Sequence, residues 1–135
     1  MYVVLVVQFL LMYKMEDKIT HLDKIWGCED WFANNDLYCG KKLTLKKHGQ
    51  CSYHYHEIKD ETFYIVAGKM GLELEGRKMI LNPGDAQRIL PGQKHSFLGL
   101  EDTIFIEVST HHEDSDSYRV SGRESRTLSE DKFEE

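Results

Sequence analysis

Short apolar or alternating runs, separated by glycine and proline turns, occupy the chain from residue 41 to residue 110. Residues 42–46 alternate apolar and polar side chains, as a half-buried strand does, and residues 62–66 are rich in β-branched and aromatic types. A hairpin is predicted over residues 72–81, and further strands over 95–98 and 103–108. The sequences Asn82-Pro83-Gly84-Asp85 and Pro91-Gly92 are strong turns. No segment here has comparably clear helical periodicity, so an all-β antiparallel sandwich or barrel is predicted.

Size and composition narrow the class further. A chain of 135 residues with 41% apolar residues is expected to form one domain with its own core. The formal net charge of −6 argues against a general nucleic-acid binder. Cys28, Cys39 and Cys51 include no C-x-x-C pair, which disfavours a disulfide framework and a cysteine zinc site. A reducing, cytoplasmic location fits this cysteine usage best.

The two ends differ from the region between them, so we divide the chain into residues 1–14, 15–112 and 113–135. The first 13 residues are almost entirely apolar, yet too short to span a membrane and without the features of a secretory signal. We expect a peripheral strand, a dimer-interface segment, or translation from too early a Met, with Met12 and Met15 as later starts. Residues 15–112 are the predicted barrel domain.

The C-terminal segment, residues 113–135, carries eight acidic and four basic residues. It is predicted to be an acidic, polar tail whose last dozen residues are disordered or loosely attached. The part up to Arg123 is long enough to cover the mouth of a barrel.

Three histidines and one glutamate form a candidate metal site. His54 and His56 stand at i and i+2, which places both imidazoles on one face of a strand. Glu61 follows across a predicted bend, and His95 begins another strand after the Pro91-Gly92 turn. Three imidazoles and one carboxylate suit Mn, Fe, Ni, Co, Cu or Zn. Taken alone, an H-x-H pair is more often two surface histidines than a metal site.

The spacing of these residues resembles the two conserved motifs of the cupin superfamily. Gly49-x4-His54-x-His56-x4-Glu61-x6-Gly68 resembles the first motif, and Gly84-x6-Pro91-x3-His95 resembles the second. The first spacing is one residue short and the second one residue long, and both changes leave the four ligand types in place. This resemblance implies a single-domain, double-stranded antiparallel β-barrel, or jelly roll, with one metal ion inside.

A second resemblance is to the D-lyxose isomerase group of cupins. Lys59 and Glu61 form a Lys-x-Glu pair after the two histidines, and Glu107-Val108-Ser109 precedes an acidic segment, as in those sugar isomerases. Residue by residue, the resemblance implies metal binding by His54, His56, Glu61 and His95, and substrate or acid/base roles for Lys59 and Glu107. The chain departs from the group at His111-His112, where Asn or Asp is common, which leaves the sugar preference open.

The position of Glu107 has two interpretations. It shares a strand face with Phe105 and Ser109, whereas Ile104, Ile106 and Val108 share the other face. A carboxylate on an apolar strand is costly to bury unless it is paired. If its face lines the barrel, Glu107 points toward the metal; if its face meets solvent, it is an ordinary outer residue. Lys59 also has two interpretations, because its position equally fits an exposed lysine in a loop.

We interpret the set as a metal-dependent aldose–ketose isomerase that acts by enediol proton transfer on a small sugar such as D-lyxose or D-mannose, or on a sugar phosphate. A divalent metal, with Mn²⁺ preferred over Fe²⁺, Co²⁺, Ni²⁺ and Zn²⁺, polarises the carbonyl, and Glu107 is the candidate base. Candidate substrate-binding residues at the barrel mouth are His111, His112, Asp114, Asp116 and Arg119. A phosphate would require cations, for which Lys41, Lys42, Arg88, Lys94 and Arg119 are available.

Two other functions remain open: an Fe(II)-dependent cupin dioxygenase, and a non-catalytic metal- or carbohydrate-binding module. The dioxygenase would leave Lys59 and Glu107 without a role. Neither a nucleic acid nor a membrane is an expected partner. A homodimer is expected because small barrels have edge strands to protect.

Overall fold

The computed structural model describes residues 2–13 and 18–130 and consists mainly of short strands. The elements, in chain order, are α1 (Tyr2–Tyr13), β1 (Thr20–Lys24), β2 (Gly27–Asn34), β3 (Cys39–Leu45), β4 (Gly49–Gln50), β5 (His54–Tyr55), β6 (Glu61–Ala67), β7 (Met70–Leu74), β8 (Arg77–Leu81), β9 (Ala86–Ile89), β10 (His95–Gly99), β11 (Thr103–Ser109), a 3-10 turn (Asp114–Asp116), β12 (Tyr118–Arg119) and β13 (Arg126–Thr127).

Two antiparallel sheets face each other. The first has the order β1-β2-β3-β11-β6-β9. In the second, β10 is central: it pairs with β4 and β5 on one side and with β7 on the other, and β7 continues to β8. The strand β12 joins β5, and β13 joins β4. The all-β jelly-roll prediction is confirmed, and the predicted hairpin is β7–β8.

The core fills one end of the space between the sheets. Phe63, Phe97 and Phe105 pack edge-to-face, with the Phe63 and Phe105 ring centroids 5.1 Å apart. Trp26 packs on Phe97 from the turn between β1 and β2. Offset and edge contacts of this kind add to the apolar area that aromatic rings bury. A cavity also lies between the sheets, and buried polar side chains such as Lys41 and Glu107 line it together with Phe63 and Phe97.

The glycine that closes the first motif has a structural reason. Gly68 adopts a φ of +88° at the turn between β6 and β7, a conformation that favours glycine. A Cβ there would also collide with the backbone oxygen of Asp102. Glycine is therefore needed at this position of the motif, because the backbone passes close to the segment at Asp102 and Thr103. Any larger residue would push the two segments apart.

The ends of the chain differ from the predictions. Residues 2–13 form a helix, so a peripheral strand is the wrong choice among the three alternatives; an apolar run without alternation does not distinguish the two structures. No described helix is long and apolar enough to cross a membrane. Met15 and residues 131–135 lie outside the described part.

The C-terminal segment is more closely attached than predicted. The strand β12 pairs with β5, and β13, within the last dozen residues, pairs with β4. Both strands are two residues long and exposed, so backbone hydrogen bonds rather than buried apolar side chains hold them. Composition alone therefore could not reveal them.

Candidate metal centre

The three predicted histidines meet between the sheets. His54 lies on β5 and His95 on β10, directly opposite each other in the register, and His56 follows β5. One ring nitrogen from each of the three lies within 4.8 Å of the others. The i and i+2 spacing brings the first two together, and strand pairing brings the third.

Backbone carbonyls orient all three imidazoles. Nδ1 of His54 lies 2.8 Å from the backbone oxygen of Ser52. Nδ1 of His56 lies 2.9 Å from that of Asp116, and Nδ1 of His95 lies 2.9 Å from that of Gln93. A carbonyl oxygen only accepts, so each Nδ1 carries the ring proton. In the neutral rings Nε2 then has its lone pair available for a metal ion. A bond from the second ring nitrogen to a carbonyl is usual for metal-binding histidines.

Glu61 completes the set from the first residue of β6. Its Oε1 lies 2.9 Å from Nε2 of His95 and 3.8 Å from Nε2 of His56. Within the described residues, neither Oε1 of Glu61 nor Nε2 of His95 has a hydrogen-bond partner. Two buried atoms with lone pairs repel at such a distance unless a proton or a metal ion lies between them. The residues therefore fit a divalent metal ion, although the donor set does not identify which metal.

The surroundings keep the donors in the forms that bind metal. Burial and the neighbouring His95 lower the pKa of His54 to about 3. Burial and the Lys59 charge lower the pKa of His56 to about 4. Although burial opposes it, contact with His95 and the charge of Lys59 hold the pKa of Glu61 well below its ordinary value. Neutral imidazoles and an ionised carboxylate are the ligating species.

Lys59 connects this set to Glu107. Its Nζ lies 2.9 Å from Oε2 of Glu61 and 3.2 Å from Oε2 of Glu107, and the lysine is 4% exposed. Glu107 is buried on the inward face of β11, as the first interpretation of that strand requires. Burial and the Glu61 charge raise the pKa of Glu107, while Lys59 and Lys41 oppose that shift. Lys59 thus bridges the buried carboxylate of Glu107 and that of Glu61, one of the candidate metal ligands.

A second buried lysine, which the sequence suggested only as a cation available for a phosphate, lies beside Glu107. Lys41, on β3 directly opposite Glu107, is 2% exposed, and its Nζ lies 3.9 Å from carboxylate oxygens of both Glu107 and Glu29. It also lies 4.2 Å from the ring centroid of Trp31. The sequence does indicate that Lys41 faces inward, because positions 41, 43 and 45 share one face of the strand and Leu43 and Leu45 are apolar.

The predicted substrate-binding residues divide into two groups. His112, Asp114 and Arg119 line the cavity. His111 instead points away from it, with Nδ1 2.9 Å from the Asn35 oxygen. The Asp116 carboxylate is buried and accepts backbone N–H groups of residues 57, 58 and 59. It holds the loop that carries Lys59 and does not line the cavity.

The cavity has a volume of about 580 Å³, within the range of roughly 300–1,000 Å³ that is usual for small-molecule sites. Its wall includes both glutamates and both buried lysines, together with Leu22, Lys24 and Glu29 from β1 and β2. Those two strands were not predicted, because their sequences carry too few apolar residues to alternate clearly. Of the five cations considered for a phosphate, only Lys41 and Arg119 line the cavity.

Two facing antiparallel sheets that enclose a cavity, with three histidines and a glutamate gathered between them, define a β-barrel with a candidate metal site. Residues 41–109 match the Cupin domain family, and the chain belongs to that family. The resemblance stated from the motifs is thereby confirmed.

Relatives of this chain include sugar-processing proteins. It is 32% identical to D-lyxose ketol-isomerase of Cohnella laeviribosi, over 62% of this chain and 61% of that protein. It is 37% identical to pectin degradation protein KdgF of Dickeya dadantii (strain 3937), over 41% of this chain and 51% of that protein. The chain thus spans less than two thirds of both relatives. The solved structure of KdgF from Halomonas sp. superposes with a TM-score of 0.65 at 25% identity, covering 74% of this chain and 91% of that one.

Proposed function

We propose that this protein is a metal-dependent aldose–ketose isomerase that acts on a small sugar. The observation that carries the proposal is the buried Glu107 carboxylate, which lies beside the candidate metal ligands and is joined to them through Lys59. Aldose–ketose isomerisation moves a proton between two adjacent carbons, and it requires an acid/base group at a polarised carbonyl. The similarity to D-lyxose ketol-isomerase supports the same chemistry.

The residues of the chain divide this work. Glu107, whose pKa burial raises, takes the proton from the carbon next to the carbonyl and returns it to the neighbouring carbon. Lys59 stays charged, because Glu107 and Glu61 raise its pKa against the effect of burial, and it donates to a substrate oxygen. His54, His56, His95 and Glu61 would hold a divalent ion, which would supply Lewis-acid polarisation of the carbonyl.

We propose that His112, Asp114 and Arg119, which line the cavity, bind sugar hydroxyls. D-Lyxose and D-mannose are the preferred candidates. The cationic groups Lys24, Lys41 and Arg119 also support a sugar with a negative group, such as a phosphate or a carboxylate. We further propose Mn²⁺ as the metal, a homodimer as the assembly and the cytoplasm as the location.

The test is an isomerisation assay with Mn²⁺-loaded protein on a panel of free aldoses, aldose phosphates and acidic sugars, with ketose formation as the readout. Conversion of at least one sugar is expected. Glu107→Gln should lower kcat by about 10²–10⁴-fold, because the amide cannot accept the proton. Its metal content should equal that of the unmodified protein.

The matched control is Glu101→Gln, an exposed position away from the cavity, which should keep full activity. No conversion of any sugar, or full activity of Glu107→Gln, would contradict the proposal. Oxygen consumption with Fe²⁺ in place of isomerisation would favour the dioxygenase. Sugar binding without turnover, unchanged in Glu107→Gln, would favour the binding module.

A further inference from the structure

A second group of metal-ligating side chains lies on the outer face of the β1–β2 hairpin. His21 and Asp23 are two residues apart on β1, and Cys28 and Asp30 are two apart on β2. The register pairs His21 with Asp30 and Asp23 with Cys28. Alternation therefore puts all four on one face, which we call the hairpin cluster, while Leu22 and Glu29 face the cavity.

The donor atoms of the hairpin cluster are close together. One donor each from His21, Cys28 and Asp30 lies within 4.8 Å of the other two. Ligands around tetrahedral zinc are about 3.3–3.8 Å apart, so small side-chain rotations bring these three to one ion. His21 is 53% exposed at its side chain and Asp30 31%, which leaves them room to rotate.

The charges of the cluster favour a cation. Nδ1 of His21 lies 2.6 Å from Oδ1 of Asp30, and Nε2 lies 3.0 Å from Oδ1 of Asp23. These carboxylates raise the pKa of His21, so the cluster already attracts one positive charge. Lys42 stands opposite Asp30 in the register with β3 and adds a competing charge at its edge. The two carboxylates, Asp23 and Asp30, outweigh that single lysine.

We propose that the hairpin cluster is a second metal site that binds Zn²⁺ through His21, Cys28 and Asp30. Imidazole, thiolate and carboxylate are all zinc ligands, and water completes a tetrahedral set. Asp23 orients the imidazole by accepting from its other nitrogen, as carboxylates commonly do beside zinc. Binding displaces one proton from the imidazole and one from the thiol, and no oxidation or reduction is involved.

The site has a structural consequence for the cavity. The strand β1 is the edge of its sheet and pairs only with β2 among the described elements. The opposite face of this hairpin supplies Leu22, Lys24 and Glu29 to the cavity wall. Zinc on the outer face would fasten β1 to β2 and so fix that wall.

The test is a Co²⁺ titration of the full chain followed by absorption. Cobalt substitutes for zinc, and a thiolate ligand gives an intense sulfur-to-cobalt band that nitrogen and oxygen ligands do not give. We expect this band, its loss in Cys28→Ser, and its displacement by Zn²⁺. His56→Ala, which damages the other centre, should keep the band, and Cys28→Ser should keep the other centre's metal.

The matched controls are Cys39→Ser and Cys51→Ser, both buried cysteines, of which Cys51 lines the cavity. Each should keep the band. Zn²⁺ should also slow the alkylation of Cys28 by iodoacetamide roughly tenfold or more, and His21→Ala should abolish that protection. A band that survives Cys28→Ser, or the absence of both band and protection, would overturn the proposal.

Discussion

The tautomer of His112 follows from its neighbours. The Nζ atoms of Lys41 and Lys59 each lie 3.2 Å from its Nδ1, and an ammonium group only donates. Nδ1 is therefore the acceptor, and Nε2 carries the proton and donates to Oδ1 of Asp114 over 3.0 Å. Burial and the two lysine charges lower the pKa of His112 to about 4. The ring serves as a neutral bridge between both buried lysines and the cavity mouth.

The folded protein should lose stability as pH falls because of this histidine. Its unfolded-state pKa is about 6.5, so between pH 6.5 and 4 the unfolded chain binds a proton that the folded chain does not. His112→Asn keeps an acceptor for the lysines but does not titrate. Over that pH range, the free energy of unfolding of the variant should therefore fall by about 2 kcal/mol less than that of the unmodified protein. This figure allows for solvent screening at the mouth of the cavity.

Urea unfolding at pH 7.5 and pH 4 measures this difference. His21→Asn is the control, because its pKa is raised rather than lowered and its removal cannot weaken acid destabilisation. Parallel stability curves for the protein and His112→Asn would contradict the prediction.

At the scale of single residues, the sequence predicted the candidate metal ligands better than the rest of the cavity. The i and i+2 spacing and the motif match were enough to predict that His54, His56 and Glu61 lie beside His95. Alternation with Leu43 and Leu45 indicates that Lys41 faces inward, but its place opposite Glu107 depends on the pairing of β3 with β11 in one sheet, which no local pattern encodes.

Among the elements, the C-terminal segment has the largest effect on the site. The Asp116 carboxylate accepts hydrogen bonds from the backbone N–H groups of Glu57, Ile58 and Lys59. Its backbone oxygen accepts a hydrogen bond from Nδ1 of His56. The C-terminal segment, whose composition is typical of a tail, therefore holds His56, a candidate metal ligand. It also holds Lys59, which lies beside the candidate ligand Glu61. Two-residue strands such as β12 are too short for periodicity to reveal.

Asp116→Ala should weaken metal binding by about 10–100-fold, the usual effect of losing a group that orients a ligand. The loop from Glu57 to Lys59 loses its acceptors, so His56 and Lys59 are no longer fixed. Metal titration by calorimetry measures the change. Asp36→Ala, at an exposed loop position, should bind metal with unchanged affinity. Equal affinities for both variants would show that the segment does not orient the site.

For the whole molecule, the outer face of the first sheet is one exposed apolar surface among the described residues, and residues 2–7 of α1, at 48–86% exposure, form another. Tyr64, Val66 and Val108 on adjacent strands are 48%, 49% and 55% exposed. A contiguous patch of this kind usually marks an interface. The expected homodimer would cover it, since a stable interface buries roughly 800 Å² on each partner.

We therefore expect the protein to elute as a dimer and the double variant Tyr64→Lys/Val108→Lys to elute as a monomer, measured by light scattering. Ile58→Lys, at a position 77% exposed on the loop beside the C-terminal segment, should remain dimeric. A monomeric parent protein, or a double variant that stays dimeric, would contradict this assignment of the interface.

The connection of the C-terminal segment to the loop after β5 also sets an order of folding. His56, whose Nδ1 donates, and Asp116, whose backbone oxygen accepts, are 60 positions apart in the chain. The paired residues of β4 and β13 are 76 and 78 positions apart. Contacts between distant segments form late, since the entropy of closing a long loop opposes them. During synthesis, the two-histidine motif emerges long before the residues that orient it. The site would thus mature in the final stage of folding, and until then the nascent chain carries histidines without a defined geometry.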